Sequence, residues 1–150
     1  MEQAKQVYQK IINMLDNRGW KYERHDEDLV IASGVTGEDL PIAFIFAVKP
    51  QNHLVQFLSK LPVTMPEEKR IDGAIAACAA SNHLIDGSFD YDVMNGSIVF
   101  RLTSSYLNSD ISEDLLEYML MVSAATIDEY NDKFLMLAKG MITIQKFLEE

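Results

Sequence analysis

The sequence predicts an α+β domain in which an antiparallel sheet carries helices on one face. Three observations predict it. Apolar residues recur at helical spacing in an N-terminal, a central and a long C-terminal stretch. Between them lie short runs of alternating apolar residues bounded by Gly, Pro and Asn, the mark of strands. Asn95-Gly96 sits between two such runs and is the strongest short-range hairpin signal a sequence carries. Runs of neighbouring strands joined by tight turns, with helices before and after, give a layered α+β order.

Gln3 to Asn17 is the first helix: Val7, Ile11, Met14 and Leu15 form its apolar stripe, and Gly19 ends it. Trp20 to Val35 reads as two short strands, the second built on Leu29-Val30-Ile31-Ala32. Gly34, Gly37 and Pro41 punctuate the next turn. Leu40 to Val48 is a strand with apolar residues on both sides: Ile42, Phe44, Phe46 and Val48 point one way, Ala43, Ile45 and Ala47 the other. Such a strand is covered on both sides or offers one side to a partner. After the Pro50-Gln51-Asn52 turn, His53 to Lys60 returns with Val55 and Phe57 opposing Leu54 and Leu58, and Leu61-Pro62 closes it. Pro66 opens a second helix reaching Leu84, with Glu67-Glu68 at its positive end and a centre of small residues.

In the hairpin, a two-residue turn at Asn95-Gly96 pairs Tyr91 with Phe100 and sets Asp90 across from Arg101. Phe89, Tyr91, Val93, Ile98, Phe100 and Leu102 then share one face. Asp110-Ile111-Ser112-Glu113 reads as a capping box with Asp110 as N-cap. The helix it opens runs to about Lys139 with two apolar rows, one of Leu115, Met119, Val122, Thr126 and Tyr130, the other of Leu116, Leu120, Ile127, Phe134 and Leu137. That stripe is wider than one sheet face requires. Gly140 breaks the helix, and a short helical segment follows over Ile142 to Leu148.

A chain of 150 residues without repeats or linkers is one domain, residues 1–150. It can bury roughly two-thirds of its unfolded surface, enough to need no disulfide or metal. One cysteine, Cys78, excludes an intramolecular disulfide and makes a reducing, cytoplasmic setting the expectation. The N-terminus does not read as a signal peptide, and Pro41 to Val48, the longest apolar run, is too short to span a bilayer. A net charge of −10 without a basic stripe argues against nucleic acid and against anionic membrane.

Sites for chemistry are sparse. His25, His53 and His83 stand apart with no paired spacing, so no metal site is expected. Asp26, Glu27 and Asp28 lack calcium-loop spacing and read as a solvated turn; Asp86, Asp90 and Asp92 raise the same question, and alternation puts Asp90 and Asp92 on the polar face of the hairpin. Cys78 and His83 point to different sides of a helix, and Cys78, in an alanine-rich stretch, reads as a buried inert thiol. Ser33-Gly34-Val35-Thr36-Gly37 leads into a strand and has no phosphate-loop lysine. No catalytic residue and no cofactor site is expected. Asn82, at the end of the second helix, is read as a cap for orphan backbone groups, with a ligand contact as the alternative.

The pattern resembles the YbjN-domain family. The carrying residues are the helix ending in Gly19, the strand through Leu29-Val30, Phe57 and Leu61-Pro62, and Pro66 to Arg70. They continue through Asn82, Leu84, Gly87, Phe89, Asp92, Asn95-Gly96 and Ile98 to Arg101, and end in the long helix with Asp128, Tyr130, Leu137 and Gly140. The resemblance implies an α-β-β-β-α-β-β-α domain with a fold like that of type III secretion chaperones. It implies a homodimer as the common state and no motif of catalytic residues. Members are labelled sensory transduction regulators. By fold analogy, secretion chaperones add the binding of an extended partner segment.

The expectation is therefore a non-enzymatic cytoplasmic module, chaperone-like or regulatory, that forms a homodimer and binds a partner polypeptide. Phe44, Phe46, Phe57, Met119 and Met121 are the candidate partner or dimer surface. The alternative is a small-ligand sensor domain of a signal transduction regulator, to which Tyr22, Tyr91 and Asn82 contribute.

Overall fold

A computed structural model describes residues 1–36 and 40–149. Gly37, expected to mark the turn after the second strand, lies outside the described residues. Helix α1 spans Glu2–Asn17 and buries Val7, Ile11, Met14 and Leu15, the stripe read from the sequence, together with Tyr8 and Ile12. Gly19, at φ +71, turns the chain out of it in a conformation that favours glycine.

Four strands follow: β1 Tyr22–His25, β2 Val30–Thr36, β3 Pro41–Lys49 and β4 Leu54–Thr64. Trp20 to Val35 forms two strands as read, with Tyr22–His25 the edge strand beside β2, one strand more than the α-β-β-β-α-β-β-α order that the resemblance implies. A 3-10 turn, Glu67–Lys69, leads into α2, Arg70–Asn82. Strands β5 Ser88–Tyr91 and β6 Ser97–Ser105 form the hairpin. Helix α3 spans Glu113–Ala138 and α4 spans Ile144–Glu149. All six strands pair antiparallel in the order β1-β2-β3-β4-β6-β5. No helix among the described residues is long and apolar enough to cross a membrane.

The three long helices lie on one face of the sheet, and the larger side chains of each strand point into that layer. Ile42, Phe44, Phe46 and Val48 of β3 are buried beside Val55 and Phe57 of β4 and Ile98 and Phe100 of β6. Aromatic rings link the core from edge to edge. Trp20 meets Phe44 at 6.0 Å, Phe44 stacks on Phe57 at 4.9 Å, and Phe57 meets Phe100 at 6.4 Å. Phe89 joins Phe100 at 5.3 Å to Phe134 at 5.2 Å, and Phe134 reaches Phe147 at 5.3 Å. Offset and edge-on pairs at these spacings stabilise by about 0.5–1.5 kcal/mol each beyond area burial.

The hairpin departs from its expected register by two residues. Tyr91 pairs with Ile98 and Phe89 with Phe100. The cause is Asp92, whose carboxylate accepts from Met94 N at 2.9 Å while its carbonyl accepts from Gly96 N at 2.7 Å. This Asx turn starts the loop early, so Val93 and Met94 lie exposed in it rather than on the strand face. Gly96 alone of the loop residues has positive φ, +78, so a type I′ turn does not form. A shift of two preserves side-chain parity, so the facing side still holds Phe89, Tyr91, Ile98, Phe100 and Leu102. Arg101 reaches Asp90 diagonally instead of directly, Nε to Oδ2 at 3.0 Å.

The start of α3 is also corrected. Ser112, not Asp110, is the N-cap, and its hydroxyl accepts from Leu115 N at 3.0 Å. Asp110 is drawn away by an ion pair with Lys10, which ties α1 to the segment before α3. Of the two rows on α3, Leu116, Leu120, Ile127, Phe134 and Leu137 are fully buried; in the other, Met119 and Tyr130 are buried and Leu115 is exposed, and Tyr118 and Met121, outside both rows, are exposed too.

Candidate functional site

The residues left facing water define the candidate site. Alternation sends Ala32 and Gly34 of β2, Ala43 and Ile45 of β3, Leu58 and Lys60 of β4, and Val99 and Arg101 of β6 away from the helices. Cross-strand register sets Ala32 beside Ile45, Ile45 beside Leu58, Leu58 beside Arg101, and Lys60 beside Val99. Ala32 and Ala43 are small and leave a depression that Ile45, Leu58, Lys60 and Val99 border. The resulting open hollow measures about 380 Å³. Its lining is mainly apolar, with the Lys60 ammonium as the outward polar side chain; Ser33, paired with Phe44, turns its hydroxyl to the Lys21 carbonyl at 2.7 Å.

A second open hollow of about 710 Å³ runs along the outward side of α2, past Ala74, Ile75, Cys78, Ala79 and Asn82. The inner side of α2 is Gly73, Ala76, Ala77 and Ala80, packed close to the sheet. Gly73 is required there, since a Cβ would stand 2.5 Å from the Tyr91 hydroxyl and 2.6 Å from Met65 Cγ. Ile71, Ile75 and Cys78 are exposed on the other side. The thiol expected to be buried is therefore on the surface. Both sides of α2 are built of small or apolar residues, so alternation did not reveal which side packs.

The candidate partner surface read from the sequence is corrected in the same way. Phe44, Phe46, Phe57 and Met119 are between 0% and 3% exposed and belong to the core. They are the bulkier residues of two-sided elements, and the bulkier side buries more apolar area when it takes the helix layer. Met121, at 43% exposed, is on the surface. Asn82 is exposed, and its amide makes no hydrogen bond among the described residues. The neighbouring Ser81 makes the bond expected of it: its hydroxyl accepts from Phe89 N at 2.8 Å where α2 hands over to β5.

Tyr22 and Tyr91 lie on opposite edge strands of the sheet and do not share a pocket. Tyr22 donates to Asp16 at 2.7 Å and Tyr91 donates to the Arg70 carbonyl at 2.7 Å. Asp26 accepts from the Tyr8 hydroxyl at 2.7 Å and from Arg24 Nε at 3.0 Å. Those two bonds, the Tyr8 bond foremost, hold the Asp26 carboxyl below the usual carboxylate range. Burial, with help from Asp26, pushes the Tyr8 phenol up. These contacts fasten α1 to the β1–β2 turn. Among the described residues no group of three or more His, Cys, Asp or Glu is placed to hold a metal ion.

The sheet edges differ from the faces. Edge strand β1 carries Glu23, Arg24 and His25, charged and polar side chains that discourage strand addition, and β5 at the other edge is only four residues long. The outward sheet face is thus more open to approach than either edge.

The fold matches solved structures that share little sequence with it. The crystal structure of YbjN from E. coli superposes with a TM-score of 0.62 at 10% identity, covering 89% of this chain and 92% of that one. The ExsC-ExsE complex matches with a TM-score of 0.61 at 12% identity, covering 88% and 95%. The HopA1-SchA chaperone-effector complex matches with a TM-score of 0.54 at 9% identity, covering 80% and 88%. Comparison with curated proteins finds no match. A family model described as "Putative bacterial sensory transduction regulator" matches residues 8–136, and with that span the chain belongs to the YbjN family.

Proposed function

We propose that this protein is a non-enzymatic, cytoplasmic binding module, chaperone-like or regulatory, that captures a segment of a partner polypeptide on the outward face of its sheet. The observation that carries the reading is the partly exposed apolar surface of Ala32, Ala43, Ile45, Leu58 and Val99 at the centre of a six-stranded sheet whose other face is covered by helices. A solvent-facing antiparallel sheet ordinarily alternates to polar residues on that side. Here β3 presents exposed Ala43 and half-buried Ile45 instead. Neighbours of the same fold, solved as the ExsC-ExsE and HopA1-SchA complexes, support a polypeptide as the occupant. The two hollows described above are open, which favours an extended segment over an enclosed small ligand.

The same reading includes self-association through α2. Its outward side, from Ile71 to Asn82, carries Asp72 as its one charged residue and exposes Ile71 and Ile75 at 74% and 43%. In a chain of net charge −10, an apolar helix side is where two copies meet with least repulsion. Sedimentation at micromolar concentration checks this half; a single 17.0 kDa species removes it.

The binding half is tested by selecting a random peptide library on the immobilised protein and repeating the selection on an Ile45→Thr, Val99→Thr variant. Both substitutions keep β-branched side chains and so keep strand preference. Enrichment on the parent and its loss on the folded variant support the proposal. No enrichment, or equal enrichment on both, overturns it.

A further inference from the structure

The charge around the sheet hollow narrows the chemistry of the segment it accepts, and this inference rests on the sheet-face reading above. The whole chain has 23 acidic residues against 13 Lys and Arg. The outward sheet face reverses that balance. Register and alternation place Lys49, Lys60 and Arg101 on it against Glu23 and Asp90. Arg101 already binds Asp90 at 3.0 Å, and Glu23 stands 3.6 Å from His25 on the far edge strand. Lys60 makes no ion pair among the described residues and borders the hollow beside Val99, Leu58 and Ala43. Its stem covers apolar surface while its ammonium stays at the rim.

We infer that the hollow takes an extended peptide segment in which an apolar side chain, seated against Ile45, Leu58 and Val99, is flanked by a carboxylate that pairs with Lys60. A basic or neutral flank would leave the ammonium without a partner at the edge of a surface that binding dehydrates. The long-range field of a −10 chain repels acidic segments, so a preference for one has to come from this local cation. At an ionic strength of about 0.15 M the far charges are screened beyond roughly 8 Å and the local pair is not.

The test uses two short synthetic peptides that alternate Thr with Leu, Ile and Val and carry either Glu or Lys at the position beside the central apolar residue. Fluorescence anisotropy measures each against the full chain and against its Lys60→Glu variant. The parent is expected to bind the Glu peptide about three- to tenfold more tightly, and the variant to reverse the order, as for a partly exposed ion pair. Equal binding of both peptides by parent and variant overturns the acidic-flank assignment and leaves the apolar hollow standing. Binding of neither peptide by a parent that also enriches none from the random library removes both. A Lys60→Met variant separates charge from packing: it should lose the preference while keeping affinity for both peptides.

Discussion

Phe57 and Leu58 are adjacent on β4 and point to opposite faces of the sheet, so truncating each measures what each face contributes. Phe57 has no exposed surface, and its ring lies 4.9 Å from Phe44, 5.4 Å from Phe46 and 6.4 Å from Phe100. Phe57→Ala removes buried area and leaves a cavity among rings that cannot collapse, a loss of about 3–5 kcal/mol. Leu58 is half-buried between Ile45 and Arg101 on the open face. Leu58→Ala removes cross-strand contact alone, about 0.5–1 kcal/mol. With a urea slope of about 2 kcal/mol per molar, the unfolding midpoints fall by roughly 1.5–2.5 M for Phe57→Ala and under about 0.5 M for Leu58→Ala. Against a total of about 5–15 kcal/mol, the first variant is close to the limit of folding at 37 °C and the second is not. Urea denaturation followed by far-UV circular dichroism reads both. Equal midpoint shifts would mean that the two faces are equally covered, and the open-face account would be wrong.

Other perturbations have defined outcomes. Gly96→Ala should cost upward of about 2 kcal/mol, because φ is +78 and a Cβ would stand 2.3 Å from the Met65 carbonyl oxygen; a thermal melt indistinguishable from the parent would contradict the loop geometry. Ser112→Ala should cost about 1 kcal/mol through loss of the α3 cap, whereas Asp110→Ala should cost less, since its partner Lys10 forms a surface ion pair. Ser81→Ala should destabilise by about 1–2 kcal/mol and Asn82→Ala by under about 0.5 kcal/mol, because the first leaves Phe89 N short of its acceptor. Asp26 has its folded-state pKa lowered, so the stability it contributes is present above the ordinary carboxylate range and lost as pH falls through that lowered value. Melts between neutral and strongly acidic pH should therefore show a steeper acid loss in the parent than in Asp26→Asn; parallel curves would sink that linkage.

Much of the fold was legible because several local signals agreed. Helix stripes such as Val7, Ile11, Met14 and Leu15 are buried as read, and strand parity in the hairpin survives a two-residue error in its turn. That error shows what pairwise turn rules miss. Asn-Gly favours a two-residue loop, but an Asx turn at Asp92 and the packing of Gly96 on Met65 decide the longer one. The proposed binding face was less legible. β3 is apolar on both sides, and helix α2 is small or apolar all round, so periodicity cannot say which side is covered. Side-chain size was the available signal: Ile42, Phe44, Phe46 and Val48 outweigh Ala43, Ile45 and Ala47, and the heavier side goes to the core. The cationic rim at Lys60 needs the register of three strands at once, which no local window contains.

The central claim is that the uncovered sheet face, and not a core cleft, receives another polypeptide. Methyl nuclear magnetic resonance during titration with a library-selected peptide tests it most directly. The account predicts shifts at Ala32, Ala43, Ile45, Leu58 and Val99, with Val55 and Ile98 on the opposite face unmoved. Shifts confined to Ala74, Ile75 and Ala79 of α2, or spread through the core methyls, would contradict it.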